Sequence, residues 1–248
     1  MANRFFVEPP IEKGVCHISG ETAHHIINVM RLKLGDSVTL FDGTNHEYIG
    51  TISELKKKSV TISIESVIES SREQEIRLTL AVSFPKGDRQ KFMIEKLVEL
   101  GVHAVVPLQT QRSVVNIHTK SAEKMKRWII EASKQCGRNQ LMEINPSISF
   151  NNWIDKTTKG LCLIAHPYKA SSPLQTVLLQ AQHAREVSLT IGPEGGFTSE
   201  EIADAQRAGW KTVEIGSTIL RIETAALAAA ALFRLPSNQD AKDAIQTD

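Results

Sequence analysis

Several features are scarce in this 248-residue chain, and each scarcity excludes a class of protein. The three cysteines, Cys16, Cys136 and Cys162, are too few and too far apart for a disulfide framework or a metal motif, so we expect no metal site. No run approaches the length of an apolar membrane span, and the N-terminal segment has no apolar signal core. We therefore expect a cytoplasmic protein with no membrane partner, and the 5% of aromatic residues predicts a mostly aliphatic core.

Two nucleotide-binding fingerprints are also missing. The chain has no G-x-x-x-x-G-K-[ST] loop and no G-x-G-x-x-G after a predicted strand, which argues against a Rossmann-type oxidoreductase. The net charge of +1 predicts no partner, but residues 84–138 hold 11 Lys and Arg against 5 Asp and Glu. Such a segment suits the phosphate backbone of a nucleic acid, and a solvated basic face is the alternative.

Residues 1–72 have the pattern of a small β-barrel, a fold often used to bind nucleic acids. The stretch "SVTISIE" alternates, which places Val60, Ile62 and Ile64 on one face of a strand. Two further strands are predicted on either side of Asp42-Gly43. The stretch "ETAHHIINVMRLKLGD" predicts one short helix ending near Gly35, and the polar residues 68–75 predict a linker.

Residues 73–236 alternate between strand and helix patterns, which predicts an α/β domain built on a parallel sheet. Ile94, Leu97 and Val98 share one face of a predicted helix, and Thr198 with Glu201 predicts a capping box. A polar tail occupies residues 237–248.

Two glycine-bearing loops follow predicted strands, Gly192 to Gly196 and Gly216 to Leu220. Ligands of open parallel sheets bind beyond the carboxyl ends of the strands, although tight turns also use glycine. Glu194 would repel a phosphate, so a positively charged nucleoside without phosphates, such as S-adenosylmethionine, fits better than ATP, GTP or NAD. A solvated turn acid is the alternative.

The second loop leads into "ILRIETAALAAAALF", where Arg221 and Glu223 lie among apolar residues. Burial of either charge is costly unless it is paired, so the two residues form a mutual ion pair, a helix cap or a functional site. His166-Pro167 ends another predicted strand and either lines the same cleft or terminates the strand. Cys136 shows no base partner and is interpreted as structural.

The motifs as an ordered set resemble the RsmE family of ribosomal RNA methyltransferases, within the SPOUT superfamily. They are "HHIINVMRLKLGDSVTLFDG", "FPKGDRQKFMIEKLVELGV", "QRSVV", "EASKQCGRN", "IGPEGGFTSEE" and "ILRIETAALAA", and the resemblance covers roughly Arg4 to Leu235. It implies methyl transfer from S-adenosylmethionine to N3 of a uridine in 16S ribosomal RNA of the small subunit. It also implies an N-terminal PUA-like β-barrel that contributes to RNA binding, a C-terminal parallel sheet with a deep trefoil knot, and a homodimer.

The resemblance, with the basic residues noted above, supplies the candidate site residues. The catalytic candidates are Arg221, Glu223 and Arg138. The cofactor-binding candidates are His166, Pro167, Ile191, Gly192, Pro193, Glu194, Gly195, Gly196, Ile215, Gly216, Leu220, Arg221 and Thr224. The RNA-binding candidates are Arg4, Arg31, Lys33, Lys86, Arg89, Lys91, Arg112 and Arg138.

The chain departs from the family pattern at two places. Ile222 stands where Thr is common, which removes a hydroxyl, and Gly216-Ser217-Thr218 replaces a more basic sequence. Two other functions stay open from the sequence: a non-enzymatic RNA-binding or ribosome-assembly factor, and an enzyme of the same fold that acts on transfer RNA.

Overall fold

The chain folds into two compact units in the computed structural model, which describes residues 3–11, 14–69, 72–114, 119–157, 159–167, 172–180 and 184–234. Unit 1 comprises Met1–Glu73 and Ile130–Leu141, and unit 2 comprises Gln74–Ile129 and Met142–Asp248. The sequence predicted a single boundary between residues 72 and 73. It did not predict that Ile130–Leu141, later in the chain, would belong to unit 1. The predicted tail 237–248 lies outside the described residues. No helix in the described part of the chain is long and apolar enough to cross a membrane.

Unit 1 is built on a five-stranded sheet with the order β1-β3-β4-β5-β2. Only β1 and β3 pair in parallel, and the other neighbours are antiparallel. Val60 and Ile62 are buried and Ile64 packs against the same core, which confirms the predicted alternation. The strands are β1 (Arg4–Phe6), β2 (Val15–Ser19), β3 (Ser37–Phe41), β4 (His46–Lys56) and β5 (Ser59–Glu69).

Two predicted boundaries in unit 1 are wrong. The predicted helix is α1 (Gly20–His24) followed by a π-helical turn at His25–Val29, and it stops well before Gly35. Arg31 has a φ of 53°, a left-handed conformation that a right-handed helix cannot continue through. The predicted linker begins too early, because β5 pairs with β4 as far as Glu69.

Unit 2 contains an eight-stranded sheet with the order β11-β13-β10-β12-β6-β7-β8, and β9 pairs with β7. All of these pairings are parallel, which confirms the predicted parallel sheet and brings the carboxyl ends of the strands to one edge. The strands are β6 (Arg77–Val82), β7 (Ala104–Gln109), β8 (Glu143–Ile144), β9 (Ile148–Ser149), β10 (Leu161–Ala165), β11 (Ser172–Pro173), β12 (Glu186–Ile191) and β13 (Lys211–Glu214).

The helices of the remaining chain carry the predicted apolar faces. Ile94, Leu97 and Val98 are buried on α2, which packs against α7. The Ala-rich α7 buries Ala226, Ala229 and Ala230, and small side chains allow this close approach. The helices are α2 (Asp88–Glu99), α3 (Thr119–Cys136), α4 (Phe150–Lys156), α5 (Leu174–Gln180), α6 (Ser199–Arg207) and α7 (Ile222–Arg234).

One cluster in unit 2 departs from the predicted aliphatic core. Phe150, Trp153, Phe197 and Trp210 gather in it beside the small residues Ala81 and Ala205. The indole N–H of Trp153 donates to Oγ1 of Thr190 at 2.9 Å, so the polar edge of the ring is satisfied inside the core. These four aromatic residues include Phe197, which lies in the loop after β12 and packs into the cluster.

Candidate functional site

Three loops at the carboxyl edge of the unit 2 sheet enclose a cavity of about 190 Å³. They follow β10, β12 and β13, which are neighbours in the order β13-β10-β12. This is the position at which open parallel sheets bind ligands. The lining residues are Arg112, Ala165, His166, Pro167, Ile191, Gly192, Pro193, Glu194, Gly195, Gly196, Phe197, Ile215, Gly216, Thr218, Ile219, Leu220, Ile222 and Ala225.

The glycine loop after β12 lies against the aromatic cluster. A Cβ atom added to Gly192 would come within 2.9 Å of the Phe197 ring, closer than real side chains approach. Gly196 has a φ of 66°, and its N–H donates to the Pro193 carbonyl at 2.8 Å. Glycine is therefore required at position 192 by contact and favoured at 196 by backbone conformation.

The loop after β7 fastens this glycine loop to α6. Nη1 of Arg112 donates to the Gly195 carbonyl at 2.6 Å. The Glu201 carboxylate accepts the backbone N–H of Gln111 at 2.9 Å and that of Thr198 at 2.8 Å. Since the Thr198 hydroxyl accepts the Glu201 N–H, the predicted capping box is confirmed, and it also anchors the loop after β7.

The walls of the cavity suit an uncharged ring system that carries a positive group. Backbone atoms of the glycines and the side chains of Ile191, Ile215 and Leu220 supply apolar and peptide surface. Arg112 is the one Lys or Arg among the described lining residues, and its guanidinium is bound to the Gly195 carbonyl. Burial lowers the pKa of His166, so its ring is neutral at pH 7 and adds no positive charge to the cavity.

The structure brings most of the predicted cofactor residues together. Every predicted position from His166 to Leu220 lines the cavity, whereas Arg221 and Thr224 are absent from its described lining. Sequence reasoning assigned Arg112 to RNA alone. It missed six residues at this cavity, namely Ala165, Phe197, Thr218, Ile219, Ile222 and Ala225. Adjacency to the glycine motifs was the signal for Phe197 and Ile219, while the approach of Arg112 depends on the sheet order.

A charged group lies beside the glycine loop. Nη1 of Arg89 is 3.8 Å from Oε1 of Glu194 and 3.7 Å from Oε1 of Glu223. Glu223 is only 7% exposed, and its Oε2 accepts no hydrogen bond from the described residues. Arg221 is exposed, and among the described ion pairs Glu223 is paired with Arg89 and not with Arg221.

The predicted RNA-binding residues fall into two groups. Lys86, Lys91 and Arg112 are exposed in unit 2, with Arg89 partly exposed between its two acids, and Arg31 and Lys33 are exposed in unit 1. Arg4 and Arg138, in contrast, have side chains only 8% and 5% exposed.

The two buried arginines are held by hydrogen bonds inside unit 1. Arg138 donates from Nε and Nη2 to the two carboxylate oxygens of Glu73, at 2.8 and 2.6 Å. Arg4 bonds to Glu47 and Asn139 and lies over the Phe41 ring, with its Cζ 4.2 Å from the ring centroid. A contact of Arg138 or Arg4 with RNA requires these pairs to open, which is costly for buried charges.

Comparison with protein-family models defines the class of this protein. The model described as an RNA methyltransferase domain matches residues 72–234, and the model described as an RNA methyltransferase PUA domain matches residues 18–65. The chain is thus an RNA methyltransferase with a PUA domain, in agreement with the predicted fold class.

Individual relatives narrow the class to one family. Ribosomal RNA small subunit methyltransferase E of Bacillus subtilis is 30% identical over 237 residues, which cover 90% of this chain and 93% of that protein. The protein of the same name from Rickettsia conorii is 30% identical over 88% of each chain. The crystal structure of the Neisseria gonorrhoeae protein, bound to S-adenosyl methionine, has a TM-score of 0.83 and 30% identity, covering 93% of this chain and 96% of that one. This chain belongs to the ribosomal RNA small subunit methyltransferase E family.

Proposed function

We propose that this protein transfers a methyl group from S-adenosylmethionine to N3 of a uridine in 16S ribosomal RNA of the small subunit. The observation that carries the proposal is the cavity over β13, β10 and β12, whose walls offer glycine backbone, apolar side chains and the Glu194 carboxylate. Family membership narrows the substrate, because the relatives are named for the small-subunit ribosomal RNA. When bound, S-adenosylmethionine supplies a methyl group on a positively charged sulfur.

Different residues of the cavity would contact different parts of the cofactor. Ile191, Ile215 and Leu220 offer apolar surface to an adenine ring, and backbone groups of the two glycine loops are available for hydrogen bonds. Glu194 supplies the negative charge that a sulfonium or an ammonium group prefers. The neutral ring of His166 avoids repulsion of that positive charge.

The uridine must lose a proton before it can react well. N3 is an imide N–H and a poor nucleophile while protonated, so the site needs a proton acceptor and a positive group for the charge that develops on O2 and O4. Arg221, exposed at the start of α7, is our candidate for that positive group. Glu223 is a candidate acceptor or a residue that orients a cation, and its contact with Arg89 favours the second role.

In each unit, the exposed basic residues form a proposed RNA-contacting surface. Lys86, Arg89 and Lys91 in unit 2 would contact the RNA, as would Arg31 and Lys33 in unit 1. The target base must leave its stacked position to reach the cavity, as for other enzymes that modify bases. Arg138 is retained as a candidate at the target nucleotide, subject to opening of its pair with Glu73.

Three further properties of the family are proposed for this chain. We infer that the loops around the cavity belong to a deep trefoil knot, that the protein is a homodimer, and that it works in the cytoplasm. The match to an RNA methyltransferase domain over residues 72–234 supports the first. Light scattering after size-exclusion chromatography tests the second, and a monomer at micromolar concentration would contradict it.

The decisive experiment is a methylation assay on unmodified small subunits and on isolated 16S ribosomal RNA, with mass spectrometry of the product nucleoside. N3-methyluridine from ribosomal RNA is the expected product. Arg221→Ala and Glu223→Gln should each lower turnover at least about tenfold while calorimetry shows retained cofactor binding. Near wild-type turnover in both variants would refute their roles. Absence of cofactor binding would favour an assembly factor, and methylation of transfer RNA alone would refute the substrate.

A further inference from the structure

A second cavity, of about 210 Å³, lies next to the first at the carboxyl edge of the same sheet. The first cavity lies over β13, β10 and β12, whereas the second is formed by the loops after β6, β7 and β12. The two cavities share Pro193, Glu194 and Ile222 as a common wall. Among the described residues, the lining is Ser83, Phe84, Lys86, Arg89, Ser113, Val114, Pro193, Glu194 and Ile222.

The floor of the second cavity combines an aromatic ring with hydroxyl groups. Phe84 is 5% exposed and Ser83 is 3% exposed. Oγ of Ser83 lies 3.1 Å from Oγ of Ser113, and these hydroxyls can donate or accept hydrogen bonds. A flat ring with polar edges suits a surface of this kind, because its face contacts the apolar atoms while its edge meets the polar ones.

The rim of the second cavity carries two cations and one reachable carboxylate. Lys86 is exposed, and the Arg89 side chain is 40% exposed while its Nη1 lies between Glu194 and Glu223. The Glu194 side chain is 54% exposed, so a bound molecule can reach it. The guanidinium has five N–H donors, so donors remain for a ligand even while Arg89 faces both acids.

We propose that the second cavity receives the target uracil and that Glu194, in the wall between the two cavities, accepts the N3 proton. This inference rests on the proposed function, and it identifies which part of the same site binds the RNA substrate. The uracil edge presents an acceptor, a donor and an acceptor at O2, N3–H and O4. The rim presents the complement, because Lys86 and Arg89 donate and Glu194 accepts. Cytosine has no proton on N3 and places an amino donor beside it, so it does not match.

Glu194 is a better acceptor than Glu223 because the substrate can reach it. Glu223 is 7% exposed, pairs with Arg89, and is absent from the described linings of both cavities, so it serves as a positioning residue for Arg89. In the proposed step the N3–H bond breaks and the proton passes to the Glu194 carboxylate. The N3 electron pair forms the new bond to the methyl carbon, and the bond from that carbon to the sulfonium breaks with its electron pair kept by sulfur. The proton on Glu194 then passes to water.

The test compares Glu194→Gln, Glu223→Gln and the control Glu200→Gln under single-turnover conditions with saturating S-adenosylmethionine. The substrate is unmodified small subunits reconstituted from a 16S transcript, assayed between pH 6.5 and 9.0. Loss of a general base costs a factor of 10² to 10⁴, so Glu194→Gln should slow the step about 100-fold at pH 7. Its rate should recover roughly tenfold for each pH unit, because a uridine already deprotonated at N3 needs no acceptor. The exposed Glu200 lies in neither described lining, so Glu200→Gln should match wild type.

The outcomes separate this inference from the proposed function. If the wild-type protein makes no N3-methyluridine, the proposed function fails. If wild type makes it and Glu194→Gln stays within threefold of wild type at pH 7, the inference is overturned. A Glu194→Gln defect that is equal at every pH, or that lies wholly in a weaker Kd for S-adenosylmethionine, also overturns it. Glu223→Gln should show a defect that does not recover with pH, and recovery there instead of in Glu194→Gln would assign the proton to Glu223.

Discussion

Arg112 donates a hydrogen bond from Nη1 to the carbonyl oxygen of Gly195 at 2.6 Å, which fastens the loop after β7 to the glycine loop after β12. Arg112→Ala should therefore loosen the cavity wall, while the negative charge of Glu194 in that wall is kept. A hydrogen bond from an exposed charged side chain is worth about 1 kcal/mol, so the Kd for S-adenosylmethionine should rise roughly fivefold in calorimetry. Arg207→Ala removes another exposed arginine, on α6, and should leave the Kd unchanged. Equal Kd values for both variants would contradict this role of Arg112.

Glu201 should contribute more to stability than its neighbour Glu200. Glu201→Ala leaves the backbone N–H groups of Gln111 and Thr198 without their acceptor, and the carboxylate is 3% exposed. The expected loss is about 2 kcal/mol, or roughly 4 to 8 °C in Tm for a chain of this size. Glu200→Ala, at an exposed position in the same first turn, serves as the control and should change Tm by less than about 2 °C. A smaller effect at Glu201 than at Glu200 would refute the double anchoring.

Gly192→Ala should disturb the cavity, because the added Cβ lies 2.9 Å from the Phe197 ring. We expect a lower Tm and a Kd for S-adenosylmethionine raised at least about tenfold, since overpacking costs about 1 to 3 kcal/mol. Gly216→Ala is the matched comparison, because its Cβ would meet nothing within 4 Å, and its Tm should equal that of wild type. A Gly192→Ala protein with both wild-type Tm and wild-type Kd would show that the Phe197 ring moves to accommodate the added Cβ at no cost.

His166 should give the stability of the protein a defined pH dependence. Burial lowers its pKa in the folded state below the usual 6.5, so between the two pKa values the unfolded chain binds more protons. The contribution of this residue is thus fully present above pH 6.5 and is lost as the pH falls through the folded-state pKa. Tm measured from pH 7.5 to 5.0 should decline less in His166→Gln than in wild type. Parallel curves would rule out this contribution.

Arg138→Ala should lower the Tm, because Arg138 is held inside unit 1 by Glu73. It should leave the salt dependence of RNA binding unchanged, because its side chain is only 5% exposed. The change removes the two hydrogen bonds that Arg138 donates to the Glu73 carboxylate, whose side chain is 16% exposed, and this costs about 3 kcal/mol. Lys86→Gln with Lys91→Gln, at two exposed positions, should show the opposite pattern, with an unchanged Tm, weaker RNA binding and a shallower salt dependence. Tm and the slope of log Kd against log salt distinguish the two cases. An unchanged Tm in Arg138→Ala, together with a shallower slope, would return Arg138 to the RNA-contacting surface.

Local patterns predicted a large part of this fold. The alternation at Val60 and Ile62, the apolar face of α2 and the capping box at Thr198 all follow from residues close in sequence, and the structure confirms them. The helix predicted to end at Gly35 failed because the left-handed backbone at Arg31 depends on a tight turn that apolar periodicity does not report. The strands β8, β9 and β11 are two residues long, too short to carry a pattern.

The sequence by itself determined the glycine loops, the acid at Glu194, the basic character of residues 84–138 and, through the ordered motifs, the family. Tertiary structure alone decided which of the charged residues can reach a ligand. It buried Arg4 and Arg138 against Glu47 and Glu73, and it placed Arg89 between Glu194 and Glu223. The physical reason is that the partner of a charge is set by sheet order and burial. These bring together residues from 43 positions apart, as in Arg4 and Glu47, to more than a hundred, as in Arg89 and Glu194, whereas a sequence pattern reports only near neighbours.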